Sequence, residues 1–442
     1  RGPTGKRLFA DAFLDWLAEH GSFDSIEIDA IPEGRIVHPN EPIAVVRGPL
    51  ILAQLLESAF LNHCNYQTLI ATKAHRVKQA ARGAMVIEFG MRRAQSRAAN
   101  AGARAAMIGG ADFSSNTGIS LELGFPPKGT HAHSMVQAFM ALGKGELGAF
   151  RAYAEAYPDA CILLVDTIDT LNSGVPNAIT VFKELRERGH TPAGIRLDSG
   201  DLAHLAVESA AMLNDAEFEE VPIVLSNKLD EVTIAGILDQ IRREAPGRGL
   251  DPVAVQKRLV YGVGTRLITS RGRAALDGVY KLVAVRSPDE THWRPALKIS
   301  ETPEKTLNPG DKRLWRIYGQ SGRALFDVIS RADEDLREMN ELVLHDQIEP
   351  AAVQAVSMDD IEEIELLHEK QNTQSRSPDA HSAITRARTR RDEDLARAAP
   401  ELRELFNPGD YRIFLTRNLW NLKRDLAHSA QRDARQSRSA QS

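Results

Sequence analysis

Six times between residues 84 and 276 a short apolar run stops at polar residues or glycine, and a stretch long enough for a helix usually follows. The runs are MVIEFGMRR (85–93), AMIGGADFSSN (106–116), CILLVDTIDT (161–170), GIRLDSGD (194–201), PIVLSNKLDE (222–231) and RLVYGVGT (258–265). Strands that are apolar at nearly every position are buried on both faces, and strand–helix alternation returns each strand parallel to the last. This pattern dictates an α/β fold with a parallel sheet. So many units in succession favour an irregular (β/α) barrel over an open sheet, although periodicity alone does not decide closure. In a barrel the residues just past the strands build the site face. Asp166, Asp169, Asp198, Ser226, Asn227 and Gly264 all stand at such positions.

The barrel is bracketed by regions that read as strands. SIEIDAI (25–31), GRIVH (34–38) and PIAVVRG (42–48) precede a long helical stretch from Leu50 to about Arg82, which Gly83 stops. VYKLVAV (279–285), RPALKIS (294–300), RLWRIYG (313–319) and ALFDVIS (324–330) follow the barrel. Pairing between these regions predicts a discontinuous α+β domain. The expected division is residues 1–83, the barrel at 84–276, completing strands at 277–345, a helical extension at 346–426 and a disordered tail at 427–442. The opening at Arg1, without methionine or an apolar leader segment, suggests that an upstream helix is missing.

Composition narrows the function. The 55 basic and 60 acidic residues are well mixed and leave a net charge of −5, which gives no reason to expect nucleic acid or an anionic membrane as partner. No apolar run approaches the roughly 20 residues of a membrane span. With only Cys64 and Cys161, neither a disulfide framework nor a cysteine zinc site is expected. A cytoplasmic enzyme is the plain expectation.

Three motifs carry chemistry. GTHAHS (129–134) offers a metal pair, a phosphate loop or a reactive histidine. No third or fourth ligand at metal-site spacing accompanies His131 and His133, which disfavours chelation. His131 reads well as a helix-start residue, whereas His133 beside aspartate-rich strand ends reads as a base or nucleophile. In RLDSGD (196–201), Arg196 suits a carboxylate or phosphate, and Asp198 and Asp201 suit magnesium or ribose hydroxyls. A helix cap with Arg196 as its ion-pair partner is compatible with both. In YGVGTR (261–266) the glycines allow backbone N–H groups to converge on phosphate, or merely turn the chain. Arg92 and Arg93 add positive charge, and Phe89 either stacks on a planar ring or belongs to the core.

Together with SNKLDE (226–231), NYQTLIATKAHR (65–76), EFGMRRAQ (88–95), LDGVYKLV (276–283) and KTLNPGDKRLWR (305–316), these motifs resemble the nicotinate phosphoribosyltransferase family from about Phe23 to Leu426. The resemblance implies condensation of nicotinate with phosphoribosyl pyrophosphate to nicotinate mononucleotide and pyrophosphate, coupled to ATP hydrolysis with Mg2+ bound through substrate phosphates. It also implies a homodimer acting in NAD salvage. It makes His133 the transiently phosphorylated histidine, with Asp166 orienting it. It places Thr130, Arg196 and Phe89 by nicotinate, and Arg92, Asp198, Gly262, Gly264 and Thr265 by phosphoribosyl pyrophosphate. His131 falls at a variable position with no implied role.

Two departures stand out. No T-D-x-Y-like sequence, whose tyrosine stacks on nicotinate in relatives, is present, and the cysteine zinc site of some relatives cannot form. Two alternatives are a nicotinamide phosphoribosyltransferase, for which Asp112 would be the amide-binding residue, and an inactive phosphate-binding scaffold. Intact His133, Arg196 and Thr265 argue against the scaffold.

Overall fold

The computed structural model describes residue 5 and residues 7–299, 307–347, 349, 352–371 and 379–439. In chain order, α1 (Asp11–His20) precedes strands β1 (Glu27–Ala30) and β2 (Ala44–Arg47) and the long helix α2 (Leu50–Ala80). The barrel segment runs β3 (Val86–Glu88), α3 (Ser96–Gly109), β4 (Phe113–Ser114), α4 (Thr117–Glu122), α5 (His133–Ala141), α6 (Gly145–Ala156) and β5 (Ile162–Leu164). It continues with α7 (Val175–Glu187), β6 (Gly194–Leu197), α8 (Leu202–Asp215), β7 (Ile223–Ser226), α9 (Glu231–Glu244), α10 (Pro252–Lys257), β8 (Leu259–Val263) and α11 (Thr265–Ile268). The strands β9 (Ala284–Val285), β10 (Arg294–Pro295), β11 (Lys312–Gly319), β12 (Ala324–Arg331), β13 (Glu341–Asp346), β14 (Val353–Ser357), β15 (Ile361–Leu366) and β16 (Glu369–Gln371) come next. Helix α12 (Ala380–Arg397), β17 (Ile413–Thr416) and α13 (Arg417–Ser439) end the described chain.

The chain forms two compact units. One comprises Cys64–Asp277 with Asp379–Arg388, the other Arg1–His63, Gly278–Pro378 and Thr389–Ser442. In the first, six parallel strands are ordered β4-β3-β8-β7-β6-β5. From β3 to β4, and again from β5 through β8 back to β3, every step moves the same way round. That is the winding of a barrel, since a doubly wound sheet reverses direction once. The barrel is open at one seam, between β4 and β5, which do not pair. Its strands are buried nearly throughout, with Val86, Leu163, Ile195, Leu225 and Tyr261 among the core side chains. This is why they read as continuous apolar runs. The run AMIGG belongs to the end of α3, not to a strand. Small residues there let two helices touch: a Cβ added at Gly109 would lie 2.1 Å from the Ala71 carbonyl oxygen of α2.

In the second unit a six-stranded sheet is ordered β14-β13-β17-β12-β11-β15, antiparallel except where β17 lies parallel to β12. Trp315, Ile317, Phe326, Val328, Leu344 and Phe414 form a core cluster in it, and Leu314, Ile329, Leu415 and Leu419 form another. The early strand β1 pairs with β2 on one side and with β16 on the other, and neither β1 nor β2 pairs with the strands of 279–345. GRIVH forms no strand, because the Ile36 N–H donates to the Asp394 carboxylate and Arg35 pairs with Glu365 and Asp394. The segment 346–426, expected to be helical, carries four strands, and residues 427–439 of the expected disordered tail continue α13; residues 440–442 lie outside the described chain.

Gly109→Ala should therefore cost about 1–3 kcal/mol or more, since the Ala71 backbone has no room to yield. Gly118→Ala, whose added Cβ meets nothing nearer than 3.9 Å, should instead gain up to about 1 kcal/mol from helix propensity. Denaturant unfolding of both variants measures the contrast, and equal midpoints would refute the close approach.

Candidate active site

The site grows from the C-terminal ends of the barrel strands. Past β5 the chain delivers Asp166, whose side chain is only 1% exposed. Its Oδ2 accepts the Asp198 N–H at 3.0 Å and the Ser199 hydroxyl at 2.5 Å, so the loop after β6 is tied to the end of β5. Its Oδ1 lies 3.1 Å from His133 Nε2, at the first residue of α5. A carboxylate only accepts, so Nε2 carries the proton and Nδ1 keeps a lone pair. His133 is 38% exposed, and its ring is open to a reactant.

Arg196, on β6, is held on three sides. Its Nε donates to Ser226 Oγ at 2.9 Å, its Nη1 to Thr130 Oγ1 at 2.8 Å, and its Nη2 pairs with Asp198 Oδ2 at 3.1 Å. The Ser226 hydroxyl in turn donates to Asp198 Oδ1 at 2.7 Å, and Thr130 donates to the His131 carbonyl at 3.0 Å. The guanidinium carbon sits 5.4 Å from the centre of the Phe89 ring, a cation–π placement. Thr130, His133, Asp166, Arg196, Asp198 and Phe89 are thus one connected cluster.

Gly262 serves that cluster from below: a Cβ there would come within 2.4 Å of Phe89 Cε2, so the ring rests on the glycine. Gly264 precedes α11, where an added Cβ would sit 3.0 Å from the Phe89 carbonyl oxygen. Arg92 is exposed on the 91–93 turn, and Thr265 is exposed at the start of α11. These two elements are neighbours, and a Cβ at Gly90 would meet Ile268 at 2.6 Å. Arg92, Gly264 and Thr265 therefore gather beside Phe89, while Gly262 is a packing residue under the ring.

The other aspartates are otherwise engaged. Asp169 and Asp201 cap helical turns through their own carboxylates. Among the described residues no group of three His, Cys, Asp or Glu side chains is placed to hold a metal ion. Asp112 accepts from Lys78 Nζ at 2.7 Å and from the Val86 N–H at 2.8 Å. Val86 starts β3, so Asp112 is tied at the strand's N-terminal end, opposite the site face. No described helix is long and apolar enough to cross a membrane.

A model of the nicotinate phosphoribosyltransferase (NAPRTase) family matches residues 84–339, and one of the nicotinate phosphoribosyltransferase C-terminal domain matches residues 311–423. Nicotinate phosphoribosyltransferase of Bacillus subtilis is 38% identical over 402 residues, spanning 90% of this chain and 77% of that protein. The chain belongs to this family. The human nicotinate phosphoribosyltransferase is 30% identical over 452 residues, spanning 91% of this chain and 80% of its own. The crystal structure of human nicotinic acid phosphoribosyltransferase superposes with a TM-score of 0.75 at 28% identity, covering 95% of this chain and 85% of that one.

Some residues at the site were given no chemical role by the sequence. Ser226 and Ser199, placed at strand ends by the motifs, turn out to orient Arg196 and Asp166. Asn227 and Lys228 follow β7 with φ of 87° and 51°, two adjacent left-handed residues without glycine, and such strain gathers at working sites. Glu88 is fully buried at the end of β3, accepting from Ser114 Oγ at 2.7 Å and from the Gly90 N–H. Burial raises its carboxyl above the ordinary range, and the two donors offset this only in part.

A carboxyl whose folded value is raised stabilises the fold below its unfolded value of about 4.5, and that contribution is lost as pH rises through the folded value. Glu88→Gln stays neutral, its oxygen placed to accept from the Gly90 N–H and its amide to donate to Ser114 Oγ. The stability of wild type minus that of Glu88→Gln should therefore fall as pH rises above about 4.5. Unfolding curves across that range test it, and a flat difference would contradict a raised carboxyl.

Proposed function

We propose that the chain condenses nicotinate with phosphoribosyl pyrophosphate, forming nicotinate mononucleotide and pyrophosphate, and couples this to ATP hydrolysis through a phosphohistidine at His133. The observation that carries the reading is the pairing of the His133–Asp166 contact with the Arg196–Thr130–Phe89 cluster at one end of the barrel. The planar guanidinium suits the nicotinate carboxylate, and the Phe89 ring beside it suits the pyridine. In the transfer, the pyridine nitrogen bonds to ribose C1 while the bond from C1 to pyrophosphate oxygen breaks and the oxygen keeps the electron pair. Arg92, with the backbone around Gly264 and Thr265, suits the anionic phosphates.

In the coupled step the Nδ1 lone pair of His133 bonds to the ATP γ-phosphorus, and ADP leaves with the electrons of the broken P–O bond. Water later takes the phosphoryl group as phosphate and frees the imidazole. Asp166 holds the proton on Nε2 and stabilises the cationic ring during transfer. The start of α5 adds N–H groups that favour a phosphoryl group at its first residue. Magnesium carried on the substrate phosphates would supply charge neutralisation for the departing pyrophosphate. A cytoplasmic homodimer is part of the same reading. The nicotinamide alternative finds less support, because Asp112 is tied at the opposite strand end.

Product analysis with phosphoribosyl pyrophosphate, ATP and either base tests the substrate; mononucleotide from nicotinamide alone would overturn it. Arg196→Lys keeps charge but not the planar fork, so the nicotinate KM should rise about tenfold to a hundredfold, corresponding to about 1.5–3 kcal/mol. An unchanged KM would count against the carboxylate contact. His133→Ala should abolish acid-labile labelling from γ-labelled ATP and uncouple ATP hydrolysis from product, and a retained label would refute the phosphohistidine.

A further inference from the structure

His131 has no part in the scheme above, yet it is 8% exposed and packed edge-on to Tyr153, with ring centres 4.8 Å apart. Its place follows from the open seam of the barrel. Strand β5 bonds β6 through the Cys161 carbonyl and the Val165 N–H. Because backbone groups alternate along a strand, the Leu164 N–H points away from β6, toward the unpaired edge. There it donates to His131 Nε2 at 3.0 Å. Across the seam, the Lys128 N–H donates to the Ser114 carbonyl of β4 at 3.0 Å. Four residues thus bridge two edges that no strand joins.

We propose that the segment 128–131 closes the barrel in place of a strand, and that His131 is its anchor, a positioning residue that sets Thr130 and His133. An Nε2 that accepts leaves the ring proton on Nδ1, which lies 3.4 Å from the Ala132 carbonyl oxygen. Burial, helped by the nearby Arg196 and His133, lowers the His131 pKa and keeps the ring neutral. Thr130, one residue before, holds Arg196, and His133, two residues after, meets Asp166. Releasing the anchor loosens both contacts together.

The test uses the full chain with His131→Phe, which keeps a ring but loses the acceptor, and His131→Gln, whose amide oxygen can accept. Amide exchange at Leu164 should quicken by about tenfold in His131→Phe and return toward wild type in His131→Gln. Resting on the proposed reaction, the nicotinate KM should rise about threefold to tenfold in His131→Phe with the phosphoribosyl pyrophosphate KM nearly unchanged, and His131→Gln should restore it. Unaltered Leu164 exchange in His131→Phe, a rise in both KM values together, or a His131→Gln as impaired as His131→Phe would each overturn the proposal. Should His131→Phe not fold, wild-type exchange and kinetics in His131→Gln support the anchor, and losses there refute it. A wild-type chain that makes no nicotinate mononucleotide would overturn the function while Leu164 exchange still decides the anchor.

Discussion

One buried carboxylate governs the geometry of the site. Asp166 is almost fully withdrawn from water, and a carboxylate so placed must be satisfied by donors or lose its charge. Its three donors come from two places: the imidazole of His133 at the start of α5, and the Asp198 N–H with the Ser199 hydroxyl in the loop after β6. None of these belongs to β5 itself. Satisfying the carboxylate therefore fixes the start of α5 and the loop after β6 relative to the strand. Because the Asp198 backbone is held, its side chain is aimed at Arg196 and Ser226, and the constraint passes on to β7. Polar partners that order one another in this way hold a site ready before substrate arrives.

Close packing does the same around Phe89. Phe89 has Gly262 under its ring and Arg196 beside it, while Gly90 admits Ile268 from α11. A methyl group at either glycine would push the ring or the helix aside. The glycines that suggested a phosphate loop thus act first as places where neighbouring atoms approach. Gly264 and Thr265, past the strand end, are the part of that motif left facing outward.

Much of this was legible in the sequence, for physical reasons. Strands buried on both faces must be apolar, so the six runs announced the parallel barrel, and their polar ends announced the site face. Strand identity failed where small residues replaced branched ones: AMIGG is a helix end shaped for contact with α2, and only Phe113–Ser114 forms β4. Strand β17 is four residues long, and its place between β13 and β12 depends on partners distant in sequence. GRIVH looks like a strand, yet its backbone bonds a carboxylate contributed from Asp394. At the site, the motifs and the family resemblance named Arg196, His133 and Asp166, and the structure brings the three into one cluster. Ser226 was placed at a strand end but neither it nor Ser199 was given a chemical role, since a hydroxyl acquires its role only from what surrounds it.

The two histidines of GTHAHS make the same point more sharply. Separated by one alanine, they meet different partners and hold their protons on different nitrogens. His131 accepts a backbone N–H on Nε2 and so keeps its proton on Nδ1. His133 offers Nε2–H to a carboxylate and so exposes the Nδ1 lone pair. Chelation of one metal by both would require His131 to give up the Leu164 N–H. A buried strand edge makes the first ring a backbone acceptor, and a buried acid makes the second a donor with a free Nδ1 lone pair. The segment that bonds β4 through Lys128 and β5 through His131 also leads into His133, so the contacts at the seam and those at Asp166 are set within six residues.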